Sequence, residues 1–238
     1  REALESGDGV LSSLSQSMDG TLYCVKDIAR EGETVFYSLA NMLSEESAQQ
    51  IGARRIDELM SEEIDVLTYR NGEKIQKLDG LLDMVKTYPE RTVFLKLRGE
   101  SAIKPLCKKL KARFETSPAL RKKLVVSGFD SATLQTIRSQ YPEIPTALHL
   151  FPETFSRGIK LYPWSNRDYS CYIPYNADSL KSPLMQRLSP DIFGMEITAI
   201  RESTIRSIIR EYKHAKIAVW FEKEPRPDDN FALLERLK

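Results

Sequence analysis

Histidine and cysteine are scarce in this sequence, and neither sign of charge is in excess. The 238 residues include 2 His and 3 Cys, and the formal net charge at pH 7 is +1. Cys24, Cys107 and Cys171 lack the short spacing of a metal site, and three thiols cannot all pair within one chain. We therefore expect reduced thiols. The near-neutral charge predicts no nucleic-acid partner.

Long apolar runs are also missing. No stretch approaches the roughly 20 apolar residues that a membrane span needs, and no signal peptide opens the chain. Hydrophobic residues still make up 41% of the sequence, which is enough for a packed core. We expect one domain over residues 1–238, with no cofactor and no membrane span.

Segments typical of strands alternate with segments typical of helices. This order predicts an α/β protein with a mainly parallel sheet and helical crossovers. The predicted strands are residues 10–14, 22–27, 92–98, 124–130, 145–151, 193–200 and 217–221. The predicted helices are a polar region at 40–67, followed by 78–88, 103–116, 131–141 and 204–213.

The strand at residues 92–98 is apolar except for two cations near its end. Strand side chains alternate between faces, so Lys96 and Arg98 should share a face with Phe94. Two cations side by side at this position indicate either a site at the mouth of a barrel or a solvated strand end.

Short motifs follow one another along most of residues 5–223. Together they resemble the glycerophosphodiester phosphodiesterases, and the resemblance implies a (β/α)₈ TIM-barrel-like fold. The first and last strands of that barrel are not evident, so either the ends lie outside the chain shown or the barrel is incomplete. The motifs are Glu5–Val10, Met18–Leu22, Val25–Asp27, Ile75–Leu82, Val125–Asp130, Pro142–Pro145 and Val219–Trp220.

The chain departs from that family where its chemistry would lie. The resemblance places Leu11 and Ser13 where the family has two metal-binding acids. It also places Lys96 where the family has a third metal-binding acid. Lys26 takes the position of a catalytic histidine, whereas Asp27 matches the aspartate that follows that histidine in the family. The two histidines of this chain, His149 and His214, match neither catalytic position. We therefore expect no catalytic residues and no metal ligands of the family type.

Active sites of such barrels lie at the carboxyl ends of the strands. Lys26, Asp27, Lys96 and Arg98 should gather there, together with Asp130. Their surplus of positive charge would suit a phosphorylated small molecule or a lipid headgroup. The alternative is that Lys96 forms an ion pair with an acid such as Asp27, so that the former active site is filled and binds nothing. The sequence leaves the binding site and the filled site both open.

A segment rich in aromatic residues offers a second candidate surface. Tyr162, Trp164, Tyr169 and Tyr172 would suit a protein partner, or they pack on their own barrel. The functional hypothesis is a non-catalytic phosphodiesterase-like barrel that acts as a binding or scaffold module. The alternative is an active glycerophosphodiester phosphodiesterase with divergent catalytic residues, since a fold alone does not establish activity.

Overall fold

The structure is a computed structural model that describes residues 9–25, 39–88, 90–97, 100–150, 177–196 and 200–220. The chain divides into two compact units, Arg1–Val126 and Ser127–Lys238. The single domain expected over residues 1–238 stays a prediction. In the ranges just given, no helix is both long enough and apolar enough to span a membrane.

The first unit contains strands β1 (Gly9–Gln16), β2 (Leu22–Tyr23), β3 (Thr92–Leu97) and β4 (Leu124–Gly128), in the spatial order β2-β1-β3-β4. The boundary with the second unit falls inside β4. β1 and β3 are parallel, as predicted, whereas β2 returns antiparallel to β1. A turn at Asp19 and Gly20 makes that return, and Gly20 adopts a positive φ of 89°, a backbone conformation that glycine adopts at little cost.

Four α-helices belong to the first unit: α1 (Glu45–Ile51), α2 (Ser61–Asp65), α3 (Leu78–Val85) and α4 (Ile103–Thr116). Short 3₁₀ helices span Leu39–Asn41, Ile56–Glu58, Glu100–Ala102 and Pro118–Lys122. α3 and α4 lie where the apolar spacing predicted them. α3 buries Leu78, Leu81, Leu82 and Val85, and Arg113 of α4 forms an ion pair with Asp83 of α3 at 2.8 Å.

The region at 40–67 differs from the prediction of a polar helical stretch. It folds as short helices around a core that includes Leu43, Ile51, Leu59 and Ile64, together with Tyr23 of β2. Gly52 ends α1 with a φ of 59°, and this backbone conformation favours glycine. Because the helix ends at Gly52, residues 40–67 form several short helices, and the prediction of one helical stretch was wrong.

The second unit contains β5 (Thr146–His149), β6 (Ile192–Glu196) and β7 (Lys216–Trp220), in the order β5-β6-β7 with both pairs parallel. Its helices are α5 (Ser131–Gln140), α6 (Ala177–Leu180), α7 (Pro183–Leu188) and α8 (Glu202–Glu211). The three strands, α5 and α8 confirm predicted elements, while α6 and α7 were not predicted. Phe193 of β6 packs on Tyr212, which ends α8, with ring centroids 5.0 Å apart.

Candidate functional site

The register between β1 and β3 places Leu11, Ser13 and Lys96 close together, the three residues that the resemblance aligns with metal-binding acids. Ser13 lies opposite Lys96, and Leu11 lies opposite Phe94. Parallel neighbours are about 4.8 Å apart, and paired residues project from the same face of the sheet. One face of this strand pair therefore carries the Ser13 hydroxyl beside the Lys96 ammonium. The apolar side chains of Leu11 and Phe94 lie two residues earlier on the same face.

Burial alternates along β3, and the face that carries Lys96 is the less buried of the two. Val93 and Leu95 are fully buried, whereas Phe94 and Lys96 are half-buried. The prediction that Lys96 shares a face with Phe94 is thus confirmed. Leu11 of β1 is 52% exposed, an unusual exposure for a large apolar side chain within a strand.

Gly9 allows β1 to approach β3 closely at the start of this face. A Cβ atom at Gly9 would lie 2.7 Å from the carbonyl oxygen of Thr92. That distance is well inside van der Waals contact, so a side chain would push the two strands apart and alter the pairing above it.

The segment that leads to Lys26 is anchored beside the same strands. Ser15 lies two residues beyond Ser13 on β1, and its Oγ donates a hydrogen bond to the carbonyl oxygen of Val25 at 3.1 Å. The backbone N–H of Cys24 donates to the carbonyl of Gln76 at 2.7 Å. Burial raises the pKa of the Cys24 thiol to about 11, although a hydrogen bond with Ser12 opposes the rise.

The predicted cluster consists of Lys26, Asp27, Lys96 and Arg98. Lys96 lies within the described residues, whereas Lys26, Asp27 and Arg98 lie outside them. Convergence of the four groups therefore stays a prediction. The aromatic candidates Tyr162, Trp164, Tyr169 and Tyr172 also lie outside the described residues.

Asp130, which the sequence grouped with the site, caps a helix. Its Oδ1 accepts hydrogen bonds from the backbone N–H groups of Ala132 at 2.8 Å and Thr133 at 3.3 Å, and its Oδ2 accepts one from the Thr133 hydroxyl at 2.9 Å. These contacts satisfy the free N–H groups at the start of α5. This carboxylate therefore has a structural role.

A second polar network supports β2 from the α2 side. The Tyr23 hydroxyl donates to Asp65 Oδ1 at 2.8 Å, and Lys77 Nζ donates to Asp65 Oδ2 at 2.5 Å. The hydrogen bond from Lys77 lowers the pKa of Asp65, partly offset by desolvation, while burial and Asp65 raise that of Tyr23. Asp65 thus accepts hydrogen bonds from both Tyr23 and Lys77, and the network links β2 to the end of α2.

The residues that the resemblance places at the family's metal positions do not fit a divalent cation. Ca²⁺ and Mg²⁺ take oxygen ligands, mostly carboxylates and carbonyls. Leu11 offers no ligand atom, Ser13 offers one neutral hydroxyl, and the ammonium of Lys96 repels a cation. Elsewhere in the described ranges, no group of three or more His, Cys, Asp or Glu side chains could hold a metal ion.

Sequence reasoning gave no role to Ser127 and treated His149 as a core or surface residue. The structure buries both, at 1% and 4% exposure, near the carboxyl ends of β4 and β5. His214 lies on the surface, with its Nε2 3.2 Å from the Ser189 hydroxyl. A polar residue inside the otherwise apolar run of β4 was the sequence signal that could have drawn attention to Ser127.

Comparisons with known proteins support the resemblance at the level of the fold. No protein-family model and no curated protein matches the chain. A putative glycerophosphodiester phosphodiesterase from Galdieria sulphuraria aligns with a TM-score of 0.67 at 15% identity, over 98% of this chain and 81% of that one. The Thermotoga maritima glycerophosphodiester phosphodiesterase gives a TM-score of 0.61 at 16% identity, over 99% and 81%.

A third similar structure was solved with a ligand. It is an Oleispira antarctica phosphodiesterase in complex with its product sn-glycerol-3-phosphate, with a TM-score of 0.58 at 14% identity over 92% of this chain and 75% of that one. At such low identities the likeness concerns architecture. The α/β fold implied by the ordered motifs is confirmed: this chain has the TIM-barrel-like fold of the glycerophosphodiester phosphodiesterases.

Proposed function

We propose that this chain is a non-catalytic phosphodiesterase-like barrel that binds the phosphate group of a small molecule or a lipid headgroup at Lys96. The observation that carries the proposal is the register of β1 and β3, which puts Ser13 beside Lys96 and Leu11 beside Phe94. This replaces the family's acidic metal-binding positions by a cation, a hydroxyl and an aliphatic group.

The loss of catalysis follows from the chemistry of these side chains. Metal-assisted phosphodiester hydrolysis requires a divalent cation held by oxygen ligands, and it also requires a proton donor and acceptor near neutral pKa. The resemblance puts Lys26 at the position of one such histidine. A lysine of ordinary pKa stays protonated at pH 7 and is a poor general base.

Binding of an anion follows from the same replacement. An ammonium on the strand face supplies fixed positive charge, and the Ser13 hydroxyl can donate a hydrogen bond to a phosphate oxygen. Arg98 and Lys26 complete the proposed site. The sn-glycerol-3-phosphate in the Oleispira antarctica phosphodiesterase supports this ligand class. A protein partner for the aromatic segment stays a prediction.

Calorimetric titration with sn-glycerol-3-phosphate tests the site. A Lys96→Met variant keeps the aliphatic stem but removes the charge, and we expect its affinity to fall by roughly 10-fold to 100-fold, because a hydrogen bond to a charged group contributes about 1.5–3 kcal/mol. Lys108→Met, at an exposed position of α4, is the matched control and should bind as the wild type does. Equal affinities for all three proteins, or no binding by the wild type, would overturn the proposal.

A further inference from the structure

The face of the β1–β3 pair that carries Lys96 is apolar beside that cation. Leu11 and Phe94 lie opposite each other in the register, two residues before Ser13 and Lys96. A strand rises about 3.3 Å per residue, so the apolar pair lies roughly 7 Å from the polar pair along the strands. Residues two apart in a strand project from the same face. Polar and apolar side chains therefore adjoin on one surface.

Leu11 leaves a large part of its side chain in contact with water. It is 52% exposed, whereas Leu14, on the opposite face of the same strand, is fully buried. A strand with one buried face commonly places polar residues on the other face. The exposed leucine departs from that pattern, and covering its hydrocarbon surface would be favourable.

Phe94 extends this apolar surface toward the start of β1. Its Cε2 atom lies 3.8 Å from the position that a Cβ atom would take at Gly9. The ring therefore reaches over a residue that has no side chain. Phe94 is half-buried and Gly9 is exposed. The surface formed by Leu11 and the Phe94 ring thus leads away from Lys96 and stays accessible as far as Gly9.

The order of groups along this face defines the ligand. Lys96 and Ser13 supply a positive charge and a hydroxyl, which suit a phosphate. Leu11 and Phe94 have no polar side-chain atom, so the hydroxyl groups of a polar ester would find no partner on them. A hydrocarbon chain would instead remove their apolar surface from water. The face therefore matches a molecule with a phosphate at one end and a hydrocarbon chain at the other.

We propose that the site at Lys96 binds a phosphate monoester that carries a single hydrocarbon chain. Its phosphate group lies at Lys96 and Ser13. Its chain lies along Leu11 and the Phe94 ring, toward the amino ends of β1 and β3. This assignment rests on the anion site proposed above and narrows its ligands to one chemical class. It also gives the exposed Leu11 side chain an apolar partner.

Calorimetric titration of the whole chain with ethyl, butyl, hexyl and octyl phosphate tests the chain contact without any substitution. The esters are used below the concentrations at which they form micelles. We expect the affinity to rise about twofold for each added methylene group, less than the roughly fourfold that full burial would give, because part of the chain stays in contact with water. Octyl phosphate should also bind more tightly than sn-glycerol-3-phosphate.

A Leu11→Asn variant tests the assigned surface. It should weaken octyl phosphate binding at least about fivefold, the equivalent of little more than one fully buried methylene group, and leave ethyl phosphate binding unchanged. Ile209→Asn is the matched control, because Ile209 is also 52% exposed but lies on α8. It should bind octyl phosphate as the wild type does. Lys96→Met should weaken the binding of both esters.

The outcomes separate the chain contact from the anion site. An affinity that does not depend on chain length, or equal effects of Leu11→Asn and Ile209→Asn on octyl phosphate, would overturn the chain contact. The anion site would still stand if sn-glycerol-3-phosphate binds and Lys96→Met weakens it. Esters that bind equally well to the wild type and to Lys96→Met, or no binding of any ester by the wild type, would overturn both.

Discussion

At the scale of single residues, the Tyr23–Asp65–Lys77 network makes the stability of the first unit depend on pH. The hydrogen bond from Lys77 keeps the pKa of Asp65 below its ordinary value of 3.8. A carboxylate with a lowered pKa in the folded state stabilises that state above the unfolded pKa. This stabilisation is lost as pH falls through the folded pKa.

We therefore expect Asp65→Asn to lower the free energy of unfolding at pH 7 and to have a smaller effect below about pH 4. The loss at pH 7 should be no more than about 1 kcal/mol, because both partners are roughly 40% exposed and water screens the pair. Urea unfolding at both pH values measures it, with Glu62→Gln at an exposed position of α2 as control. A loss that is independent of pH would contradict the assigned linkage.

Residue types placed Lys96 on the same strand face as Phe94 but did not determine the roles of other residues grouped with the site. Strand alternation was enough to place Lys96 with Phe94, because a period of two is fixed by backbone geometry. It could not show that the Asp130 carboxylate is engaged by the first turn of α5, since an aspartate before a helix has the same sequence signature whether it caps or binds. The burial of His149 depends on the neighbouring strands, and the sequence alone could not predict it either.

At the scale of elements, the register of β1 and β3 brings Leu11, Ser13 and Lys96 close together on one face of the strand pair. If these three positions correspond to the family's acidic positions, restoring acids there should create a cation site. Carboxylates on two adjacent, in-register strands lie close enough to share one Ca²⁺.

A triple variant, Leu11→Glu with Ser13→Asp and Lys96→Glu, should gain saturable stabilisation by Ca²⁺ in thermal unfolding. Ca²⁺ at a hundredfold excess over Kd would add about 2.7 kcal/mol. The matched control keeps Lys96 and carries only the two β1 changes, and its ammonium should prevent tight binding. A folded triple variant without any response to Ca²⁺ would show that the three positions do not converge.

Elements with a strong pattern were the most predictable part of the fold. α4 begins and ends where its amphipathic spacing predicted, and β4 lies within the predicted strand and is buried from Leu124 to Ser127. Residues 40–67 were misread because their buried positions, such as Leu59 and Ile64, are spread over short helices separated by caps. No single helical period describes them, and their core also includes Tyr23, Val25 and Ile75, which lie outside the region.

At the scale of the whole molecule, the fold is like that of the glycerophosphodiester phosphodiesterases, whereas the function we propose is not catalytic. Solved phosphodiesterases align over nearly the full chain at 15–16% identity, so the architecture survives extensive replacement of side chains. Function belongs to the site rather than to the fold. Ordered motifs could reveal the architecture from the sequence, because glycine turns and buried strands constrain the backbone. The partner of Lys96 on β1, which is Ser13, depends on the register of the two strands, and the motifs do not specify that register.

The measurement that tests the account most directly is a hydrolysis assay of the full-length protein with glycerophosphocholine, in the presence of Ca²⁺ or Mg²⁺. We expect no turnover above a buffer control, because Leu11, Ser13 and Lys96 cannot hold the cation that this chemistry requires. Turnover by the wild type that disappears in a Lys96→Ala protein would contradict the account and establish an active phosphodiesterase.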